Sequence, residues 1–227
     1  MLWNLFRDLI QNKEIFLNNV KSGDDFEYQI ETYLKWYLKL KKIDNNTFHK
    51  INDFKELKNL IQWKLEIEWK IQNTKWKELS WTFVAQPFWT QNYPDFILFY
   101  EDYIYILEIK FSKSKNPKPM WNGWFPLNNW IYIFWSSLNK DITFFLGSDV
   151  LSNKERQIMI NFFDYLKELE TKVNIELAKY NINKTWFQTY VRKAFQQKKV
   201  SDDTELNFFV SKKRKYREKN VLSYTIT

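Results

Sequence analysis

Residues 93–111 read YPDFILFYEDYIYILEIKF. Almost every side chain in this stretch is aromatic or aliphatic, as expected of a strand pair buried on both faces. Yet Asp95, Glu108 and Lys110 are set among them. Burying an unpaired carboxylate is costly unless its pKa rises or a partner neutralises it, so three charges in such a run need a reason.

Geometry supplies the first part of that reason. Tyr100-Glu101-Asp102-Tyr103 separates two strand-like runs, which predicts a hairpin with Glu101-Asp102 at its tip. The tip lacks the Gly that favoured two-residue turns carry, and the turn type stays open. If Tyr100 faces Tyr103, the pairing extended outward places Asp95 opposite Glu108. Directly opposed residues share a face with Cβ atoms about 5 Å apart, and the two-residue period adds Lys110 to that face. Like charges this close repel, so a cation between them is the simplest resolution. A hard divalent ion such as Mg²⁺ binds through one or two carboxylates and keeps waters for chemistry. With a lysine beside it, the arrangement predicts hydrolysis of a phosphodiester.

At these residues the chain resembles a known family. Pro94-Asp95, twelve intervening residues and Glu108-Ile109-Lys110 resemble the signature of the PD-(D/E)xK nuclease superfamily, which includes many type II restriction endonucleases. Glu-x-Lys occurs four times, at Glu56, Glu68, Glu108 and Glu170, whereas Pro-Asp occurs once, and only the Glu108 copy lies on a strand-like run across from it. The resemblance implies that Asp95 and Glu108 bind Mg²⁺, that the Ile109 carbonyl adds a ligand, and that Lys110 positions the attacking water. It further implies a metal-site Glu on the first core helix, after a glycine; KSGDDFEYQIETYL resembles that pattern at Gly23 and Glu27. The likeness runs over about residues 23–150. Within it, NPKPMWNGWFPLNNWIYIF, from Asn116, is similar to a Pro-x-Trp-Asn stretch that follows the catalytic strand in some restriction enzymes, here Pro119, Trp121 and Asn122. Asn128 and Asn129 join Asn122 as amides able to contact bases or phosphates. The alternative places Trp121 and Trp124 in the core.

Charge points the same way. The net charge is +8, and KKRKYREK at 212–219 carries six basic residues and one Glu, a net +5 that leaves +3 for the rest. Arg192, Lys193, Lys198 and Lys199 form a second basic cluster. Such concentrations suit phosphate backbones. The candidate DNA contacts are therefore Lys118, Asn122, Arg192, Lys193, Lys212, Lys213, Arg214 and Lys215, with double-stranded DNA as partner. Paired cuts on a two-fold duplex imply a homodimer, and restriction implies a cognate DNA methyltransferase as genetic partner.

Absences narrow the chemistry. The chain has no Cys and one His, His49, which excludes thiolate metal sites, Ser-His-Asp catalysis and multi-histidine nuclease centres. The N-terminal MLWNLFRDLI carries Arg7 and Asp8 inside any apolar core, unlike a signal peptide. No uncharged run reads as a membrane span. A cytoplasmic protein without membrane contact is expected.

At 227 residues with only three glycines and no linker-like segment, the chain is read as one α/β nuclease domain. Its expected fold is a mixed central sheet flanked by helices, with a restriction-endonuclease-like core: a helical part at 1–80, a catalytic sheet at 81–150, then helices and a basic C-terminal segment at 151–227. Pattern predicts a helix built on Phe26, Ile30, Tyr33, Leu34, Tyr37 and Leu38, and a second over Asp53–Gln72. Strands are predicted near 82–88, 95–100, 103–112, 130–136 and 142–147. A long helix is predicted over Ser152–Tyr180, capped by Ser152 with Glu155, then a helix near 185–198 and a strand near 206–211.

Overall fold

The computed structural model describes residues 2–226 except 19, 63–69, 89–93, 123–124, 181–186, 192–193 and 196–206. Its centre is the hairpin of the opening stretch. Strands β4 (Phe96–Tyr100) and β5 (Tyr103–Ser112) pair antiparallel with Tyr100 facing Tyr103 and Phe96 facing Leu107, the expected register. Glu101 in the turn has φ 53°, the left-handed region that glycine adopts without cost.

Around that hairpin the sheet grows to seven strands. On one side β4 pairs antiparallel with β3 (Thr82–Ala85), which pairs in parallel with the short edge strand β1 (Lys41–Lys42). On the other side the C-terminal half of β5 pairs in parallel with β7 (Ile131–Ser136), which meets β8 (Asp141–Leu146) antiparallel. The N-terminal end of β5 takes β2 (Ile71–Gln72) as a further antiparallel neighbour. The sheet is thus mixed. Every residue of β4 and β7 is buried, as strands covered on both faces require.

Helices supply the two covers. On one face, α1 (Trp3–Gln11), α2 (Glu14–Leu17), α3 (Gly23–Trp36) and α7 (Arg214–Thr225) contribute Leu5, Phe16, Phe26, Ile30 and Val221 against Leu98, Tyr105, Leu107 and Ile109. On the other, α4 (Asn45–Phe48), α5 (Phe54–Gln62) and the 121–130 segment pack Phe48, Leu57, Trp121 and Trp130 against Ile97, Phe99, Ile104 and Ile106. Burying each such side chain contributes about 1.5–3 kcal/mol. Helix α3 starts on a capping box in which Ser22 Oγ accepts from Asp25 N–H and Asp25 accepts from Ser22 N–H. The long helix α6 (Asn153–Ala178) opens on the expected Ser152 and Glu155 box. At the end of β8, Gly147 lies so close to the 127–130 loop that a Cβ there would meet the Leu127 carbonyl at 1.9 Å.

Several expectations are corrected. The N-terminal part is not wholly helical, because Lys41–Lys42 and Ile71–Gln72 join the sheet. The helix predicted to reach Gln72 therefore ends sooner: the open edge of β5 offers Ile71 and Gln72 backbone partners that outweigh helical periodicity. The β3 strand stops at Ala85, where Gln86 turns at φ 47°. Residues 187–191 of the expected 185–198 helix are irregular, and Ala194–Phe195 form a strand, β9, antiparallel to β6 (Trp121–Asn122). In place of a strand at 206–211, residues 208–210 turn and drive Phe208 and Phe209 into the core. The basic segment that follows begins α7, which packs on β8 and α1.

Candidate functional site

Alternation along the central hairpin places the charged residues. Ile97 and Phe99 of β4 and Ile104 and Ile106 of β5 belong to one face of the sheet, so Asp95, Glu108 and Lys110, in phase with them, belong to that face as well. Asp95 occupies the bend that leads into β4. Its Oδ2 accepts from the Ile109 N–H at 2.5 Å, and its carbonyl accepts from Gln86 N–H at 2.7 Å. A strand residue points its N–H and C=O to the same side. The Ile109 carbonyl therefore leaves β5 on the edge that Asp95 occupies.

Glu108 is 6% exposed. One carboxylate oxygen, Oε1, accepts from Lys110 Nζ at 2.8 Å. The other, Oε2, is buried with no hydrogen-bond donor. The Lys110 ammonium also sits 5.5 Å from the centre of the Trp121 ring, which packs on Tyr132 at 5.2 Å. Trp121 thus takes the core position open to it in the sequence, and it forms one wall for the lysine.

Glu27 comes from the opposite face. Helix α3 carries it to the end of β3 and β4, where Gln86 Nε2 donates to its Oε2 at 3.4 Å. Burial raises the Glu27 pKa, with the charges of Asp24 and Glu108 adding to the rise and the Gln86 hydrogen bond opposing it. Burial also holds the Asp95 pKa well above the ordinary carboxylate range, reinforced by Glu108 and Glu27 and opposed by the Ile109 N–H and Lys110. Asp95, Glu108, Lys110 and Glu27 therefore act on one another electrostatically. Beside them lies a cleft of about 530 Å³ lined by Asp24, Glu27, Asp44, Asn45, Gln86 and Phe96.

Gln86 is the residue that sequence reading missed. Its left-handed backbone is a strained state for a side chain of this kind, and it ties Asp95, Glu27 and, through its carbonyl, Asn45 together. Nothing in the local pattern marks it, because its role arises from strand ends that meet only in the fold. Gly23, by contrast, is not required sterically, since a Cβ there would meet Phe111 at an ordinary 3.8 Å.

The remaining candidates scatter. Lys118 is half-buried in the loop after β5. Asn122 contributes backbone to β6, and Arg192 and Lys193, like Lys198 and Lys199, lie outside the described residues. Asn128 and Asn129 are buried, and Asn128 Nδ2 donates to Asn153 Oδ1 at 2.5 Å, so the Asn128 amide is engaged within the fold. Lys212, Lys213 and Lys215 are exposed. Arg214 is committed inward: its Nη1 lies 2.6 Å from Asp141, its Nε 2.8 Å from Glu218, and its Nη2 donates to the Ile142 carbonyl at 2.8 Å.

Among the described residues, no three carboxylate, imidazole or thiol side chains are gathered into a metal-holding group, and no helix is long and apolar enough to cross a membrane. The donor set still suits a hard cation that needs only one or two carboxylates and otherwise keeps water. Glu108 offers an oxygen that nothing satisfies, and Asp95 offers a carboxylate whose charge the protein under-compensates. Comparison of the chain with known protein families, curated proteins and solved structures finds no match.

Proposed function

We propose that the chain is a Mg²⁺-dependent DNA endonuclease with a restriction-endonuclease-like core, acting as a homodimer on double-stranded DNA. The observation that carries this reading is Asp95, Glu108 and Lys110 on one sheet face, with Glu27 near enough to raise the Asp95 pKa and Glu108 Oε2 buried without a donor. Asp95, Glu108 and the Ile109 carbonyl would hold the ion, with Glu27 bordering it. When bound, Mg²⁺ supplies charge stabilisation at the scissile phosphate.

The chain's own residues set the rest of the chemistry. Lys110, walled by Trp121 and oriented by Glu108, directs a water at phosphorus. As the new P–O bond forms, the bond to the 3′ oxygen breaks, leaving a 5′-phosphate and a 3′-hydroxyl. Exposed Lys212, Lys213 and Lys215 supply backbone contacts that position DNA without reading it. Restriction of unmodified DNA at a nearly palindromic site, with a methyltransferase encoded nearby, is the biological setting proposed.

One observation favours a second reading. The 2.8 Å Lys110–Glu108 pair is also what a structural ion cluster in a non-catalytic DNA-binding protein would contain. Incubating unmethylated genomic DNA, and in parallel a synthetic four-way junction, with the protein in Mg²⁺, Ca²⁺ or EDTA, and mapping the ends, separates the two. Defined 5′-phosphate ends in Mg²⁺ alone support the nuclease. Retention of DNA without cleavage in any cation supports the binding protein, and cleavage confined to four-way junctions marks a resolvase.

A further inference from the structure

Helix α6 carries two apolar stripes, and the described residues of the fold cover only one. Over 26 residues the helix is about 39 Å long. Its inner stripe, Arg156, Met159, Ile160 and Phe163, packs onto the domain, with Arg156 donating to the Pro126 carbonyl through Nε and Nη2 at 3.2 and 3.0 Å. The outer stripe lies roughly 140° around the helix. It consists of Ile158, Phe162, Tyr165 and Leu169, which are 62%, 54%, 60% and 38% exposed. Four large apolar side chains in a row on one exposed helix face are unusual unless something covers them.

Their spacing identifies the cover. The intervals are four, three and four residues, the alternation of a coiled-coil seam rather than of a helix lying on a sheet. Glu155 stands one seam position before Ile158, and Lys172 one after Leu169. If a second α6 is laid antiparallel across a two-fold axis, Phe162 meets the partner's Tyr165 and Ile158 meets the partner's Leu169. In the same register Glu155, whose Oε2 accepts from Ser152 in the capping box, brings its charge to the partner's Lys172. Every layer is apolar against apolar or acid against base, and the two-fold axis generates each contact twice. A parallel alignment would set Glu155 against Glu155 and Lys172 against Lys172.

We infer that the outer stripe of α6 is a self-association surface, and that two copies of this chain pair through it as an antiparallel two-helix seam centred between Phe162 and Tyr165. It supplies the dimer that the nuclease reading requires, and in that respect rests on that reading. The argument for the surface itself needs only the helix. Four side chains per copy cover less than the ~800 Å² per partner of a standard interface, so the association is reversible and concentration-dependent, and a two-fold DNA site bound by both copies strengthens it.

The experiment reads association and cleavage separately. Sedimentation velocity of the full chain over a wide concentration range should show a monomer–dimer equilibrium, and Phe162→Glu should raise its dissociation constant about tenfold or more. Far-UV circular dichroism should be unchanged, because Phe162 is not part of the buried stripe. Orientation is tested by disulfide capture, which the absence of native cysteine makes clean. Ile158→Cys and Leu169→Cys proteins, mixed and oxidised, should cross-link to each other, while neither cross-links alone. A chain that stays monomeric with and without duplex DNA overturns the proposal, as does a dimer indifferent to Phe162→Glu. Cross-linking by either single variant alone overturns the antiparallel register. Loss of dimer with single-strand nicking retained leaves the nuclease reading standing, whereas a Phe162-dependent dimer that never cleaves DNA keeps this surface and removes that reading.

Discussion

Lys110 Nζ lies 2.8 Å from Glu108 Oε1, and the second oxygen of the same buried carboxylate receives no hydrogen bond. The lysine is therefore what keeps Glu108 tolerable in the fold as well as a candidate for the chemistry. Removing one member of a buried pair leaves the other uncompensated, which costs roughly 3 kcal/mol, toward the lower end because Lys110 keeps some solvent contact. Lys110→Met should lower stability in urea by about that much and reduce cleavage at least about 10²-fold. Glu108→Gln leaves the more exposed Lys110 without its partner, so it should lose cleavage with a smaller loss of stability, and the double variant should recover stability but not activity. A fully stable, inactive Lys110→Met protein would show that the pair carries no structural weight.

The raised pKa values of Asp95 and Glu27 give stability a definite slope with pH. A carboxyl that titrates higher in the folded chain than in the unfolded chain keeps its proton longer when folded. The contribution of these two groups to stability is therefore greatest below the ordinary carboxylate range and is lost as pH rises through the raised native values. Asp95→Asn removes part of this loss, since the amide oxygen can still accept from Ile109 N–H. The variant should melt higher than the parent near neutral pH and converge with it near about pH 4.

Because burial raises the Asp95 pKa, Mg²⁺ competes there with a proton over a wider pH range than at an ordinary carboxylate, so its effect grows in the opposite sense. Thermal stabilisation by Mg²⁺ should be small near about pH 5 and larger near about pH 8, and absent in Asp95→Asn. Calcium should bind with little turnover. Equal Mg²⁺ stabilisation at both pH values, or its persistence in Asp95→Asn, would place the ion elsewhere.

The basic C-terminal segment divides into two kinds of charge. Arg214 joins α7 to β8 through Asp141 and the Ile142 carbonyl, and Asp141 also receives Lys13. Arg214→Ala should therefore unfold the chain more readily, by roughly 2–4 kcal/mol for a hydrogen-bonded, largely buried ion pair. Lys212, Lys213 and Lys215 make no such contacts. Changing all three to Gln should leave the melting temperature in place and reduce the slope of log affinity against log salt by up to about 3. An unchanged slope would assign these lysines to solvent.

The same contrast explains what the sequence disclosed. Along the hairpin the side chains alternate between the two faces and the loop is short, so numbering alone gave the register from Tyr100–Tyr103 to Phe96–Leu107 that brings Asp95 toward Glu108, and Ser152 with Glu155 marked the start of α6. In α7 the polar residues are satisfied inside the fold: Arg217 packs on Phe208 at 4.3 Å, and Glu218 accepts from Thr143 at 2.9 Å. A helix whose inner face is charged shows no apolar period, so it read as a basic segment. The pairing of Ile71–Gln72 with β5, and of Ala194–Phe195 with Trp121–Asn122, depends on edges that exist only once the sheet is assembled. Glu27 was legible as a residue type on a helix, but its meeting with Gln86 was not.

Glu101 tests whether the hairpin register underlies the site. Its φ of 53° costs a residue with a Cβ about 1–2 kcal/mol, and glycine would remove that cost while adding about 0.5–1 kcal/mol of unfolded-chain entropy. Glu101→Gly should therefore stabilise the chain by about 0.5–1 kcal/mol and leave cleavage intact, because Tyr100 still faces Tyr103. Glu101→Pro cannot adopt a positive φ, so the turn must rearrange. A one-residue slip would move Glu108 and Lys110 to the opposite face from Asp95. This variant should lose both stability and cleavage, and stability measured beside activity for the pair separates a strained turn from an indifferent one. A destabilised Glu101→Gly protein would mean that the Glu101 side chain, not its backbone, holds the turn.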